Sequence, residues 1–249
     1  MSLILKLLTY YFALVSFWQR KVFLKGLKAS DLVLDIGSGD KPHWRADVIA
    51  DKFLHDDQQR NSGRVLLDKR KLFVKADVAK LPFQDKTFDF VYCSHLLEHV
   101  DDPGQAIKEI IRVGKAGYLE VPSAGMDLFK PFISHLWFCH RRGNQLIFFQ
   151  RESQSNFYTD VLTQFGQQYF LTPLWQYFFA KEFRSAFIGL FWQGKIDYQV
   201  VRNHRPYRYS SAIKKNRKVD KTFVYYQLFY KIMTLFFYRR KAIDKQTLF

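Results

Sequence analysis

Chemistry first concentrates in the stretch Leu32-Val33-Leu34-Asp35-Ile36-Gly37-Ser38-Gly39-Asp40, where an apolar run carrying one acid breaks into a Gly-x-Gly turn. Lacking Cβ atoms, glycines let the backbone bend sharply and lie close against a ligand. The third glycine of a dinucleotide fingerprint would fall at position 42, which is Pro42, so the close helix-to-strand packing that glycine permits is missing. Asp35 points the same way, because a carboxylate beside the turn repels a pyrophosphate and suits a cation. A nicotinamide-linked oxidoreductase is disfavoured on both counts.

Two more acids follow apolar runs. Asp51 comes after Asp47–Ala50, and a carboxylate at that strand end can accept both ribose hydroxyls of an adenosine. Asp77 comes after Leu72–Lys75, where its side chain can take an adenine amino group while Val78 and Leu81 cover the ring. Any one of these acids could be a cap or turn former, but three at consecutive strand ends point to a ligand. S-adenosylmethionine joins an adenosine to an ammonium and a sulfonium. The expected binding set is Asp35, Gly37, Ser38, Gly39, Asp51, Asp77, Val78 and Ser94. Between Gly39 and Asp47 there is little room for the usual crossover helix, which asks for about a dozen residues. Either that helix is cut to a turn or two from Pro42, or the ribose acid is another, such as Asp47 or Asp56.

Methyl transfer from a sulfonium is a direct displacement, so the main task is to hold the acceptor in line and exclude water. A hydroxyl acceptor would gain from a base. His95 and His99 follow the fourth apolar run, and helical spacing would put them on one face with Glu98 pointing elsewhere. His135, ahead of Leu136-Trp137-Phe138, is the third candidate base; alternatively Glu98 and His99 only brace the segment before Asp101-Asp102-Pro103. No metal is expected, since this spacing fits no common closed zinc set and neither Cys93 nor Cys139 completes one.

Taken jointly, Asp35-Ile36-Gly37-Ser38-Gly39, Ala76-Asp77-Val78-x-x-Leu81-Pro82-Phe83-x-Asp85-x-x-Phe88-Asp89, Ser94-His95-x-x-Glu98-His99-Val100 and Arg112-Val113-Gly114-Lys115-x-Gly117-Tyr118-x-Glu120-Val121-Pro122-Ser123 resemble the class I methyltransferases of the broad small-molecule group. The resemblance covers about residues 30–150. It implies an S-adenosylmethionine cofactor, a seven-stranded sheet whose final hairpin is antiparallel, and an acceptor pocket lined by the segment after the fifth strand.

The elements that must position these residues read as an α/β, Rossmann-like, mostly parallel sheet with helices on both faces. Its strands are Leu32–Ile36, Asp47–Ala50, Leu72–Lys75, Phe88–Cys93 and Ala116–Val121. A helix opens near Pro103, carries Ala106, Ile107, Ile110, Ile111 and Val113, and stops at Gly114. Leu136–His140 and Gln145–Gln150 flank a Gly/Asn turn as a hairpin, residues 157–182 are helical and aromatic, and Phe187–Phe191 with Ile196–Val201 predict a second hairpin. The chain divides into an amphipathic N-terminal helix (1–28), the cofactor-binding core (29–150), an aromatic extension that could cap the acceptor (151–201), and a basic linker with an amphipathic C-terminal helix (202–249).

Of the formal charge of +16, residues 1–28 contribute +5 and residues 201–249 contribute +11, which leaves the centre neutral. The N-terminal apolar set Ile4, Leu7, Leu8, Tyr11, Leu14, Val15, Trp18 and Val22 lies opposite Ser2, Lys6, Thr9, Ser16 and Arg20. In the C-terminal helix Tyr225, Leu228, Phe229, Ile232, Leu235 and Phe236 form one stripe, against Gln227, Lys231, Thr234 and Tyr238. Arg239-Arg240-Lys241 beyond it, and Lys214, Lys215, Arg217 and Lys218 before it, suit anionic head groups. The apolar run Leu7–Trp18 is short of a membrane span. These features predict a cytoplasmic protein, peripheral on a membrane face, that methylates a small-molecule, glycan or lipid-linked acceptor. An RNA methyltransferase using the basic aromatic tail is the alternative, made less attractive by the lack of an Asn-Pro-Pro-aromatic or Pro-Cys motif, and a non-catalytic partner-binding protein is a third.

Overall fold

The computed structural model describes residues 3–53, 66–153, 157–169, 172–208 and 221–249. Asp56 and the basic cluster from Lys214 to Lys218 lie outside the described residues. The elements in chain order are α1 (Leu3–Lys21), β1 (Val33–Ile36), β2 (Val48–Asp51), β3 (Leu72–Lys75), β4 (Phe88–Ser94), α2 (Pro103–Val113), β5 (Gly114–Pro122), α3 (Ala124–Phe129), β6 (Trp137–Arg142), β7 (Gln145–Gln150), α4 (Phe157–Tyr169), α5 (Pro173–Lys181), α6 (Phe183–Ala186), β8 (Phe187–Gln193), β9 (Tyr198–Val201) and α7 (Lys221–Phe236).

The main sheet runs β3-β2-β1-β4-β5-β8, with β8 antiparallel to β5 and the other neighbours parallel. Its central strands are buried on both faces, which is why they read as continuous apolar runs. One face packs Leu34, Ile36, Val91, Cys93 and Leu119 against Ala106, Ile107, Ile110 and Val113 of α2. Asp102 caps that helix by accepting from Gln105 N, Pro103 opens it and Gly114 closes it. The other face carries Val33, Ile49, Phe90, Tyr92 and Tyr118. On that side α1 donates from Lys21 Nζ to Tyr92 Oη, and α7 donates from Tyr226 Oη to the Pro42 carbonyl.

Two expectations are corrected. The main sheet has six strands rather than seven, because the β6–β7 hairpin forms a separate three-stranded sheet in the order β6-β7-β9. The second predicted hairpin does not form either. β8 pairs with β5, whereas β9 runs parallel to β7. A tight turn at Gly194 separates β8 and β9, with Gln193 bridged to Lys195. Tyr198 and Val200 then pack over Gly104 of α2 together with Leu146 and Phe148, a burial that pairing with β8 at the sheet edge would forgo.

β2 stands where the sequence places it, shifted by one residue, and the segment between β1 and β2 holds only turns. The missing crossover helix is therefore a real shortening. Asp47 sits at the opposite end of β2 from the Gly-x-Gly turn, buried, accepting from Val33 N and paired with Arg45 and Lys241. Asp51 is the acid at the carboxyl end of β2.

The flanking helices dock in the opposite sense to their patterns. α7 turns Tyr226, Tyr230, Met233 and Thr234 inward and leaves Tyr225, Leu228, Ile232, Leu235 and Phe236 exposed. In α1 the buried residue is Ser16, while Leu3, Ile4, Leu7, Leu14 and Trp18 face outward. No described helix is long and apolar enough to cross a membrane.

Candidate active site

The Gly-x-Gly turn leaves the carboxyl end of β1 with Gly37 at φ +68° and Gly39 at φ +54°. The positive φ of Gly37 strains any other residue there, and a Cβ, 2.8 Å from the Leu96 side-chain tip, would also displace that side chain. Gly37 N donates to Ala50 O, and Gly39 N donates to Asp51 Oδ2 at 3.0 Å, which ties the turn to the end of β2. Asp51 Oδ1 accepts from Phe53 N at 2.9 Å. Ser38 Oγ is buried with no hydrogen-bond partner among the described residues. A hydroxyl with an unused hydrogen bond between two glycines at positive φ suits a turn that meets a ligand through its backbone.

Asp35 is fully buried within β1 and accepts from His43 N at 2.6 Å, closing the loop that replaces the crossover helix. Burial pushes its carboxyl up to about 7, against the pull of the His43 hydrogen bond and Lys21. At the next strand end Asp77 accepts from Ala79 N and pairs with Lys52 at 2.7 Å, while Val78 and Leu81 are buried beside it. The turn, Asp51, Asp77 and Ser94 thus share the carboxyl edge of the sheet, the edge at which open α/β sheets bind ligands.

A chain of alternating charges runs from that edge across the top of β4 and β5. Glu120 on β5 is buried and accepts from Arg20 of α1 at 2.5 and 2.6 Å, from Tyr118 Oη at 2.7 Å and from Ser94 Oγ at 3.1 Å. Burial alone would raise its pKa, but Arg20 and then His95 outweigh it and hold the carboxyl well below the usual range. Arg20 also lies over the Phe187 ring at 4.0 Å. His95 continues the chain, with Nε2 3.3 Å from Glu120 Oε1 and Nδ1 3.2 Å from Glu98 Oε1. Burial opposes its protonation, yet the two carboxylates raise its pKa to about 9.

The histidines do not share a helix face as expected. His95 takes a left-handed backbone (φ +56°), and only a 3-10 turn at Leu97–His99 follows. A non-glycine residue there is strained, and such strain gathers at functional sites. The turn points Glu98 inward, fully buried, to the centre of the cluster. His99 Nε2 lies 3.8 Å and His135 Nε2 4.0 Å from Glu98 Oε1. Each ring is fixed from its far side: His99 Nδ1 is 3.0 Å from the Ser134 carbonyl, and His135 Nδ1 is 2.8 and 2.9 Å from the two oxygens of Asp127. Burial lowers the His99 pKa to about 4. The sequence treatment of Glu98 as pointing away is therefore corrected, and the partners it missed are Arg20, Glu120 and Asp127. Glu120 lay within the motif stretch but carried no mark of its role, since its partner is 100 residues away.

Residues 48–119 match the family model described as a methyltransferase domain. Over 127 residues the chain is 31% identical to a demethylmenaquinone methyltransferase of Renibacterium salmoninarum, covering 46% of this chain and 51% of that protein. Over 45 residues it is 53% identical to cycloartenol-C-24-methyltransferase 1 of Oryza sativa, covering 18% of this chain and 13% of that protein. The chain thus spans about half the length, or less, of these curated relatives. A solved S-adenosylmethionine-dependent methyltransferase of Thermotoga maritima aligns at 22% identity and a TM-score of 0.35, over 47% of this chain and 56% of that one. The match over residues 48–119 identifies a methyltransferase domain there, and the Gly-x-Gly turn and the strand-end acids stand together on the carboxyl edge of its sheet.

Proposed function

We propose that the protein transfers a methyl group from S-adenosylmethionine to a lipid-like small molecule at an anionic membrane surface. The observation that carries this reading is the ligand-ready carboxyl edge: a glycine turn with a buried, unpartnered Ser38 hydroxyl between strand-end acids. When bound, S-adenosylmethionine supplies a methyl group on a positively charged sulfur. The backbone of Gly37–Gly39 would lie against it, Asp51 would take the ribose hydroxyls, Asp77 the adenine amino group, and Val78 would cover the ring. His95, His99 and His135 converge on Glu98 beside Ser94, and we assign acceptor-side assistance to this set.

The names of both curated relatives give apolar acceptors, a demethylmenaquinone and cycloartenol. The surface supports a similar source for this chain. α1 and α7 expose apolar stripes and meet through Phe17 stacked edge-on against Phe229, and Lys6, Lys25, Lys231, Arg239 and Arg240 lie exposed on or near them. Arg70, Lys71, Arg240, Lys241 and Lys245 line a basic groove of about 240 Å³. Since Arg20 and Lys21 at the end of α1 reach Glu120 and Tyr92, the exposed helix leads directly to the site.

Calorimetry is expected to give micromolar-scale binding of S-adenosylmethionine and its demethylated product, no comparable binding of NAD, and strong losses in Gly37→Val and Asp77→Ala. Equal affinity in Gly37→Val would overturn the placement of the turn. Once affinity is established, turnover in an alanine series at His95, His99 and His135 reads their part separately.

A further inference from the structure

Two imidazoles and a carboxylate meet behind the edge just described, held in a way that methyl transfer itself does not require. His135 Nδ1 faces both oxygens of Asp127 at 2.8 and 2.9 Å, so that nitrogen carries the proton and Nε2 presents a lone pair. His99 Nδ1 faces the Ser134 carbonyl at 3.0 Å, which forces the same tautomer. The two Nε2 atoms then lie 3.8 and 4.0 Å from Glu98 Oε1, with ring centroids 4.7 Å apart at 80°. Among the described residues Glu98 Oε2 is buried with no hydrogen-bond partner. His95 Nδ1 already partners Glu98 Oε1 at 3.2 Å, but among the described residues it leaves Glu98 Oε2 and the two Nε2 atoms without a donor, and a cation among them would supply the missing partner.

We propose that Glu98, His99 and His135 bind a divalent first-row transition-metal cation. One ligand atom from each of the three lies within 4.8 Å of the others. Zinc at its usual bond lengths of about 2.0–2.2 Å brings tetrahedral ligands to roughly 3.4 Å from one another, so on loading the 3.8 and 4.0 Å separations close by about half an ångström, and the widest, within 4.8 Å, by up to about 1.4 Å, a shift that side-chain rotation must supply. Imidazole and carboxylate together suit this class of ion, and three protein ligands leave a coordination position for an oxygen. Asp127 and the Ser134 carbonyl are the outer partners that metal-bound histidines ordinarily have. Sequence spacing conceals the set because His135 arrives from the far side of α3, 36 residues beyond His99.

A bound cation would occupy the Nε2 lone pairs of His99 and His135 that a base would use, so at these two residues the metal replaces direct acceptor-side assistance; cofactor binding at the glycine turn does not depend on it, and metal analysis reads the proposal apart from that binding. The test is metal analysis of the full chain as purified, followed by titration of chelator-treated protein with zinc, and with cobalt as a spectroscopic probe. The expected result is one equivalent bound, with a cobalt spectrum of a nitrogen- and oxygen-ligated site. His135→Gln and His99→Gln should lower affinity roughly a hundredfold or more, and Asp127→Asn, which keeps all three ligands, about 10–100-fold. His140→Gln, an exposed histidine outside the cluster, should bind as the wild type does. A wild-type stoichiometry near zero, leaving a proton as the shared cation, would overturn the proposal. So would binding that His135→Gln and Asp127→Asn leave intact while circular dichroism shows them folded.

Discussion

Helix α2 and the pair α1 and α7 are all amphipathic, yet they solve opposite problems. α2 buries its apolar stripe, Ala106, Ile107, Ile110 and Val113, against the sheet, as a surface helix of a globular protein does. In α1 and α7 the apolar stripe is the side left outside, with Leu7 59% and Leu228 58% exposed. Polar anchors, together with a few aromatic contacts such as Phe17 on Tyr226 and Phe12 on Tyr177, attach these two helices. Arg20 grips Glu120, Tyr226 donates to the Pro42 carbonyl, Tyr230 donates to Asp68, and Arg70 donates to the carbonyl of Thr234. An apolar stripe is therefore a statement about contact with something apolar, and the protein's own core is only one candidate.

The sharpest way to break this contrast is at the anchor. Arg20→Met leaves Glu120 buried against Tyr118 and His95 without its main counter-charge, and should cost about 3–5 kcal/mol in denaturant unfolding. A loss under about 1 kcal/mol would mean that α1 is held by other contacts. Next, Ile110→Ala in α2 should cost about 2–5 kcal/mol, the range for a buried large aliphatic side chain.

The smallest stability effect is expected where the stripe faces outward. Leu7→Gln together with Leu228→Gln should change unfolding free energy by about 0.5 kcal/mol or less. The same double variant should lose much of its flotation with liposomes containing anionic lipid, which the wild type should show. If it unfolds as readily as Ile110→Ala, the stripes are packed rather than presented. If its flotation is unchanged, or the wild type does not float, the membrane reading fails.

Much of the core was legible in the chain. Continuous apolar runs located β1 to β5 to within a few residues, and Pro103 with Gly114 marked both ends of α2, because period, turn chemistry and capping are local properties. The turn at Gly37–Gly39 was legible for the same reason, since positive φ demands glycine wherever the chain goes next. Tertiary structure decided everything that depends on distant partners. It sent β9 to β7 rather than to β8, joined Arg20 to Glu120, and gathered His99, His135 and Asp127 around Glu98. It also chose which side of α1 and α7 faces the protein. Periodicity measures the width of an apolar stripe, but whether that stripe or its polar opposite meets the core depends on which buried acids and carbonyls await it, here Glu120 and the Pro42 carbonyl.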